Sequence, residues 1–149
     1  MSMDSEARRM LLVEDNLDDI ELILRALRKA GIDSQVDVGQ DGEEALEYLF
    51  GRGDYSHLKT APLPSVVLLD LKLLKVGGME VLREIRRDER TRQLPVVVLT
   101  SSTQEEDLAQ AYQLGANSFL HKPVDYDSFR ELVRQLGLYW LVDNEPPPP

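Results

Sequence analysis

The sequence has no cysteine and only two histidines among its 149 residues. The first absence excludes disulfide bonds and thiolate metal sites, and the second leaves too few imidazole groups for a structural zinc site. No apolar run approaches the length needed to span a bilayer, and the polar residues 1–9 resemble neither a signal peptide nor a membrane anchor. We therefore expect a cytoplasmic protein with a flexible N-terminus at 1–9 and no membrane partner.

Positive charge is also scarce, because 17 lysines and arginines stand against 27 acidic residues and leave a net charge of −10. Nucleic-acid binding needs clustered lysine and arginine side chains for the phosphates, so we expect no nucleic-acid partner. The one arginine-rich stretch, at 83–92, is interleaved with acids and is typical of a salt-bridged helix surface. The length and a hydrophobic fraction of 42% are typical of one soluble domain.

Four short apolar runs lead directly into polar residues. Such runs predict strands that are buried on both faces, with the polar groups at the rim of the sheet. In an open parallel sheet, the rim at the carboxyl ends of the strands is where ligands bind. The runs are Met10–Val13 before Glu14 and Asp15, Val66–Leu69 before Asp70, Val96–Leu99 before Thr100 and Ser101, and Ser118–Leu120 before His121 and Lys122.

Segments with helical spacing separate these runs, as at 17–30, and an alternating stretch at 35–38 predicts an edge strand. The order βαβαβαβαβα predicts an α/β fold with a doubly wound, five-stranded parallel sheet and five helices. The predicted helix starts are Asp41, a capping box of Thr103 with Glu106, and either Asp125 or Asp127.

Glu14, Asp15 and Asp70 are expected to lie close together at the rim. Crowded carboxylates raise one another's pKa, and a divalent cation removes the conflict. Oxygen ligands without histidine or cysteine suit Mg²⁺. One such acid alone is as easily a solvated residue at the start of a loop, but three acids at strand ends favour a cation site.

Three of the rim residues also fit phosphoryl chemistry. Asp70 is of the residue type that forms aspartyl phosphates. Thr100 could donate a hydrogen bond to a phosphoryl oxygen, and Lys122 could counter its charge. Alone, the threonine is typical of a turn and the lysine of a protein surface; their order along the chain is what gives them weight.

Together these motifs resemble the receiver domain of two-component response regulators over about residues 9–141. The resemblance implies a flavodoxin-like sheet in the order 2-1-3-4-5, and a switch that accepts a phosphoryl group from a sensor histidine kinase and signals through protein contacts. The matching segments are Leu12-Val13-Glu14-Asp15-Asn16, Leu68-Leu69-Asp70-Leu71, Val98-Leu99-Thr100-Ser101 and Phe119-Leu120-His121-Lys122-Pro123.

The resemblance also implies a role for each site residue. Asp70 would be the phosphoacceptor, and Mg²⁺ would be held by Asp70 together with Glu14 and Asp15. The remaining implied roles are a backbone carbonyl ligand from Lys72, a switch pair of Thr100 and Phe119, a small residue at Ser101 that leaves the site open, a phosphoryl contact from Lys122, and a cis peptide bond before Pro123.

Three segments resemble the single-domain regulators of bacterial phytochrome histidine kinases: the loop at 51–64, the strand Pro-Val-Val-Val-Leu-Thr at 95–100 and the ending Leu138-Tyr139-Trp140-Leu141. This narrower resemblance implies a phytochrome kinase as the partner and a homodimer. Three positions depart from the family pattern after the phosphoacceptor. Lys72 adds a cation, Leu74 replaces a proline and Gly77 replaces a polar residue, so we expect altered phosphorylation kinetics.

Two other function classes fit the fold less well. A Mg²⁺-dependent phosphatase or phosphotransferase for a small molecule commonly carries a second acid two residues after its nucleophile, where this chain has Lys72. A flavin-binding module needs a phosphate-cradling loop after the first strand, where this chain has the acidic stretch 16–19. We therefore expect self-directed phosphotransfer and autodephosphorylation, not an enzyme that acts on a separate substrate.

Apolar residues at the end of the last helix predict a homodimer interface. At 100° per residue from Phe129, three apolar residues near Gly137 fall off the core stripe, and they are Leu138, Leu141 and Val142. An exposed patch of this kind usually marks a contact, here between two copies in a homodimer. Alternatively, Gly137 breaks the helix and the chain folds back over its own domain. The expected boundaries are a receiver domain at 10–142 and a proline-rich tail at 143–149.

Overall fold

The computed structural model describes residues 8–148, so the expected flexibility of residues 1–7 lies outside the described part. Its centre is one sheet of five parallel strands in the order β2-β1-β3-β4-β5, which confirms the predicted fold class and strand order. The strands are β1 (Met10–Val13), β2 (Val36–Gly39), β3 (Val66–Leu69), β4 (Val96–Thr100) and β5 (Ser118–His121). Within residues 8–148, no helix has both the length and the apolar character needed to cross a membrane.

Five α-helices connect the strands and continue the chain after β5. They are α1 (Leu17–Lys29), α2 (Gly42–Phe50), α3 (Gly78–Arg87), α4 (Glu105–Gln113) and α5 (Tyr126–Leu138). Asp41 and Asp125 accept backbone hydrogen bonds at the starts of α2 and α5, as predicted. The predicted capping box of Thr103 and Glu106 is wrong, because the hydroxyl of Ser102 accepts the Gln104 amide and α4 begins after that residue.

The three central strands β1, β3 and β4 are buried on both faces, whereas the edge strands β2 and β5 are mostly half-buried, so the prediction of full burial for Ser118–Leu120 is wrong. Alternate residues of the central strands belong to two separate hydrophobic clusters. Leu11 and Val13 of β1 pack with α2, α3 and α4, whereas Met10 and Leu12 pack with α1 and α5. Truncating one such buried leucine to alanine costs about 2–5 kcal/mol, so both helix layers hold the sheet firmly. Leu17 is 68% exposed because it occupies the first helical position of α1, at the rim.

The C-terminal end of α5 differs from the sequence expectation. Gly137 does not break the helix: it is buried against α1, where an added Cβ would lie 2.4 Å from Leu27 Cδ2. The chain then continues as a π-helical turn at Tyr139–Asp143, closed by a hydrogen bond from the Asn144 amide to the Tyr139 carbonyl. A wider turn rotates the following side chains away from the positions that 100° per residue gives. Leu141 is therefore fully buried, and its prediction as a dimer contact is wrong.

The two ends of the described chain meet at the opposite rim from the predicted site. Arg8 Nη1 donates a hydrogen bond of 2.7 Å to the Val142 carbonyl, and Arg8 Nη2 lies 3.6 Å from Glu145 Oε2. Arg9 makes two hydrogen bonds to Asp37 of the edge strand β2. The first described residues are thus held by the domain and by the start of the tail.

Candidate functional site

The candidate site lies at the carboxyl ends of the strands, where the register brings the acids together. Val13 of β1 pairs with Leu69 of β3, so the residues that follow them, Glu14 and Asp70, are neighbours. Carboxylate oxygens of Glu14, Asp15 and Asp70 all lie within 4.8 Å of one another. Glu14 is 2% and Asp70 6% exposed, whereas Asp15 is half-buried. The predicted convergence of three carboxylates is present.

Lys122 follows β5 and places its ammonium group among the acids. Its Nζ lies 2.7 Å from Glu14 Oε1 and 2.8 Å from both Asp70 Oδ2 and Asp19 Oδ2. An ammonium group has three hydrogens, so each carboxylate accepts one. Asp19, in the first turn of α1, is a site residue that the sequence reasoning missed. No local sequence signal distinguishes Asp19 from its neighbour Asp18, because only the fold brings it to Lys122.

The charges of the site are strongly coupled. Burial, with the charge of Asp70, raises the pKa of Glu14 to about 7, although Lys122 opposes the shift. Burial also raises the pKa of Asp70, but the hydrogen bond and charge of Lys122 outweigh it, so that pKa lies below its usual value. Burial lowers the pKa of Lys122, and the hydrogen bonds to Asp19, Asp70 and Glu14 outweigh it and raise that pKa. Asp70 is therefore an ionised carboxylate that faces a protonated lysine.

The acid cluster fits a divalent cation. It contains oxygen donors only, at the separation that a shared ion needs, and one member, Glu14, is held toward its neutral form by burial and by the charge of Asp70. A hard cation would favour the charged form of all three acids. The residues present thus match the predicted donor set for Mg²⁺.

The loop after Asp70 is held close to the site by glycine. A Cβ on Gly78 would lie 2.3 Å from the Asp70 carbonyl oxygen, so only glycine lets α3 begin at this point. A Cβ on Gly42 would lie 1.8 Å from the Val76 carbonyl oxygen, which fixes the same loop against α2. The Lys72 amide donates a hydrogen bond of 3.2 Å to Asp70 Oδ1, and the Lys72 side chain is exposed.

Thr100 and the residues after it form the next part of the rim. Thr100 is fully buried at the end of β4, and its Oγ1 accepts a hydrogen bond of 3.3 Å from the Ser102 amide. Ser102 is 1% exposed and donates its hydroxyl hydrogen to Asp107 of α4. Ser101 is exposed. Hydrogen bonds of Ser102 thus join the end of β4 to α4, and the sequence reasoning did not single this residue out.

The β5 end contains the remaining predicted residues. Phe119 is half-buried, packs on the cluster that contains α2, α3 and α4, and meets the His121 ring edge to face at 5.6 Å between centroids. No peptide bond among residues 8–148 is cis, so the prediction of a cis bond before Pro123 is wrong. The trans form of a bond to proline is favoured by about 0.5–1 kcal/mol. With it, Lys122 already reaches its three carboxylates.

Comparison with known proteins decides the family. The sequence profile described as Response regulator receiver domain matches residues 10–134, which is most of the chain. The chain belongs to this family of receiver domains. As a receiver domain it is a signalling module, and the acids, the threonine and the lysine described above lie at the rim of its sheet.

Three relatives of this receiver domain illustrate the range of the match. The probable methanogenesis regulatory protein FilR2 of Methanothrix harundinacea is 43% identical over 94% of this chain and 88% of its own length. The bacteriophytochrome response regulator AtBRR is 48% identical, with a TM-score of 0.71 over 93% of this chain and 98% of that one. The phosphorylated cyanobacterial phytochrome response regulator RcpA is 36% identical, with a TM-score of 0.86 over 95% of this chain and 99% of that one.

Proposed function

We propose that this receiver domain is a phosphorylation switch in which Asp70 accepts a phosphoryl group from a sensor histidine kinase. The observation that carries the proposal is the position of Asp70. Its ionised carboxylate is buried at the rim, is bonded to Lys122, and lies within 4.8 Å of two other acids. The relative RcpA, which is described as phosphorylated, supports the same chemistry.

The chemistry is a displacement at phosphorus. An oxygen of Asp70 forms the new bond to phosphorus, the bond from phosphorus to the donor histidine nitrogen breaks, and the donor keeps that electron pair. Lys122 donates a hydrogen bond to the reacting carboxylate and can follow the charge onto a phosphoryl oxygen. The Lys72 amide holds the other carboxylate oxygen, so the carboxylate presents one defined face.

The metal in this proposal is Mg²⁺. Glu14, Asp15 and Asp70 would hold it, with the Lys72 backbone carbonyl as a further ligand. When bound, the ion neutralises negative charge on the phosphoryl oxygens. The same acids would serve hydrolysis of the acyl phosphate, and the proposed chemistry is the chain's own phosphorylation and autodephosphorylation.

Signalling would follow from Thr100 and Phe119. Charge on Asp70 would draw the Thr100 hydroxyl toward the phosphoryl group, past the exposed Ser101, and the half-buried Phe119 would turn inward. Ser102 donates its amide hydrogen to Thr100 Oγ1 and its hydroxyl hydrogen to Asp107, so it would transmit this movement to α4. The surface of α4, β5 and α5 would then change its preference for partner proteins, as a shift between two states.

The partner and assembly follow from the relatives and from the surface. Two relatives are named as phytochrome or bacteriophytochrome response regulators, so a phytochrome histidine kinase in the cytoplasm is the proposed donor.

The domain would span 10–142. Half-buried Leu138 and the exposed Tyr139 and Val142 would form a homodimer contact. Light scattering of the wild type and of Val142→Glu tests it: a monomeric wild type at high micromolar concentration, with and without phosphorylation, contradicts the dimer.

The phosphorylation proposal is tested by intact mass after incubation with acetyl phosphate and Mg²⁺. The wild type is expected to gain one phosphoryl group, and Asp70→Asn to gain none. Equal phosphorylation of both proteins contradicts the role of Asp70. Steady consumption of small phosphate esters without a phosphorylated protein favours instead the alternative, a Mg²⁺-dependent phosphatase or phosphotransferase.

A further inference from the structure

Asp19 holds Lys122 from outside the acid cluster. Its Oδ2 lies 2.8 Å from Lys122 Nζ, across a sequence separation of 103 residues. The side chain of Asp19 is 24% exposed and that of Lys122 is 8% exposed, so the pair is largely shielded from water. Within residues 8–148, the acids that could share a metal ion are Glu14, Asp15 and Asp70, and Asp19 is not one of them.

We propose that Asp19 is a positioning residue for phosphotransfer, which holds the Lys122 ammonium over Asp70 while the other carboxylates change partners. The inference rests on the proposed phosphorylation of Asp70. In the structure, Lys122 uses its three hydrogens on Glu14, Asp19 and Asp70. A cation held by Glu14 and Asp70 would take lone pairs from two of these contacts, and a phosphoryl group on Asp70 would take them from one. Asp19 is the acceptor that stays available throughout.

The chemistry of lysine explains why such an anchor matters. The ammonium group sits on a flexible four-carbon stem, and it acts as a point charge without the fixed fork of arginine. A second fixed acceptor restricts where that charge can go, and a small displacement of a positioned group lowers a rate strongly. Asp19 stands on the first turn of α1, whose buried face packs on the sheet, so the anchor itself is rigid.

Two other roles of Asp19 make different predictions. As an acid in the first turn, it could simply stabilise α1 through the helix dipole, a property shared by the exposed Asp18. As a negative charge near the site, it could repel an incoming phosphoryl donor, and its removal would then speed phosphorylation. The positioning role predicts instead a slower reaction that depends on the presence of Lys122.

The experiment measures the rate of phosphorylation by acetyl phosphate at saturating Mg²⁺ for full-length variants. Asp19→Ala is expected to lower the rate constant about tenfold, and Asp19→Asn, which keeps an oxygen acceptor, is expected to lose less. The matched control Asp18→Ala, which removes a charge from the same turn, is expected to match the wild type. Asp19→Asn also carries the test if the alanine variant fails to fold.

A double-mutant cycle distinguishes the positioning role of Asp19 from a purely structural one. In a Lys122→Ala background, Asp19→Ala is expected to cause no further loss. An equal loss in both backgrounds, an unchanged rate in the wild-type background, or faster phosphorylation without Asp19 overturns the inference while the proposed function stands. A wild type that acetyl phosphate does not phosphorylate overturns both.

Discussion

Lys122 Nζ lies 2.8 Å from Asp70 Oδ2, although the two residues are 52 positions apart in the sequence. The contact joins the ends of β3 and β5, which are separated in the sheet by β4. In the structure, the ammonium group neutralises acids that a divalent cation would otherwise share. Lys122 and the cation are therefore expected to compete for Glu14 and Asp70.

Removing Lys122 is expected to destabilise the protein and to strengthen its response to Mg²⁺. Loss of one partner of a buried ionic cluster costs about 3–5 kcal/mol, and without the ammonium group the acids gain more from a cation. Thermal unfolding of Lys122→Ala with and without Mg²⁺ measures both effects. Lys75→Ala is the control, because Lys75 is exposed and lies 3.6 Å from Asp41. An equal Mg²⁺ shift in Lys122→Ala and the wild type contradicts the competition.

Asp15→Ala is expected to abolish phosphorylation and to leave the fold intact. Asp15 is only half-buried and Lys122 contacts the other two acids, so its truncation leaves no buried charge unpaired, but it removes one of the three oxygen donors. Phosphorylation by acetyl phosphate, followed by intact mass, and circular dichroism together check this expectation. Full phosphorylation of the variant in the presence of EDTA shows that the acid cluster is not a required metal site.

Gly137→Ala is expected to destabilise the protein by about 1–3 kcal/mol through overpacking. The new Cβ would lie 2.4 Å from Leu27 Cδ2 and 2.8 Å from Ile32 Cδ1, which forces α5 away from α1. Gly77→Ala is the matched control, since a Cβ there meets nothing within 4 Å. Urea unfolding measures both variants. If Gly137→Ala is as stable as the control, α5 does not pack on α1 as closely as described.

The contribution of Asp37 to stability is expected to fall at low pH. Burial raises the pKa of Asp37, but the Arg9 and Tyr48 hydrogen bonds outweigh it, so the folded-state pKa lies below the unfolded one. The stabilisation is therefore complete above the unfolded pKa and is lost as the pH falls through the folded one. The stability gap between the wild type and Asp37→Asn should shrink below about pH 4. Solvent screens this half-exposed pair, so added salt should also reduce the gap. A gap that is constant down to pH 2.5 contradicts this cause.

The strands and the acids at their ends were predictable because each depends on a local pattern. An apolar run such as Val66–Leu69 predicts a buried strand, and an acid after it must lie at the rim. The partners of Lys122 were harder to predict from the sequence. Asp19 looks like an ordinary acid in the first turn of a helix, and only the folded chain brings it to the lysine.

The errors near the C-terminus have a different physical origin. The expectation for Leu141 assumed a regular α-helix, and one π-helical turn moved that side chain from the surface to the core. The cis bond before Pro123 was implied only by the family resemblance, and the start of α4 depends on a side-chain hydrogen bond. For α4, the buried hydroxyl of Ser102 accepts the Gln104 amide, and the nearby sequence does not reveal that this serine is buried.

The most direct test of this account locates the phosphoryl group on the chain. The wild type, phosphorylated with acetyl phosphate and Mg²⁺, is treated with borohydride, which reduces an aspartyl phosphate to homoserine, and its peptides are sequenced by mass spectrometry. The account predicts conversion at Asp70 alone, and none when Mg²⁺ is removed. Conversion at Glu14, Asp15 or Asp19, or phosphorylation that persists in Asp70→Asn, would contradict it.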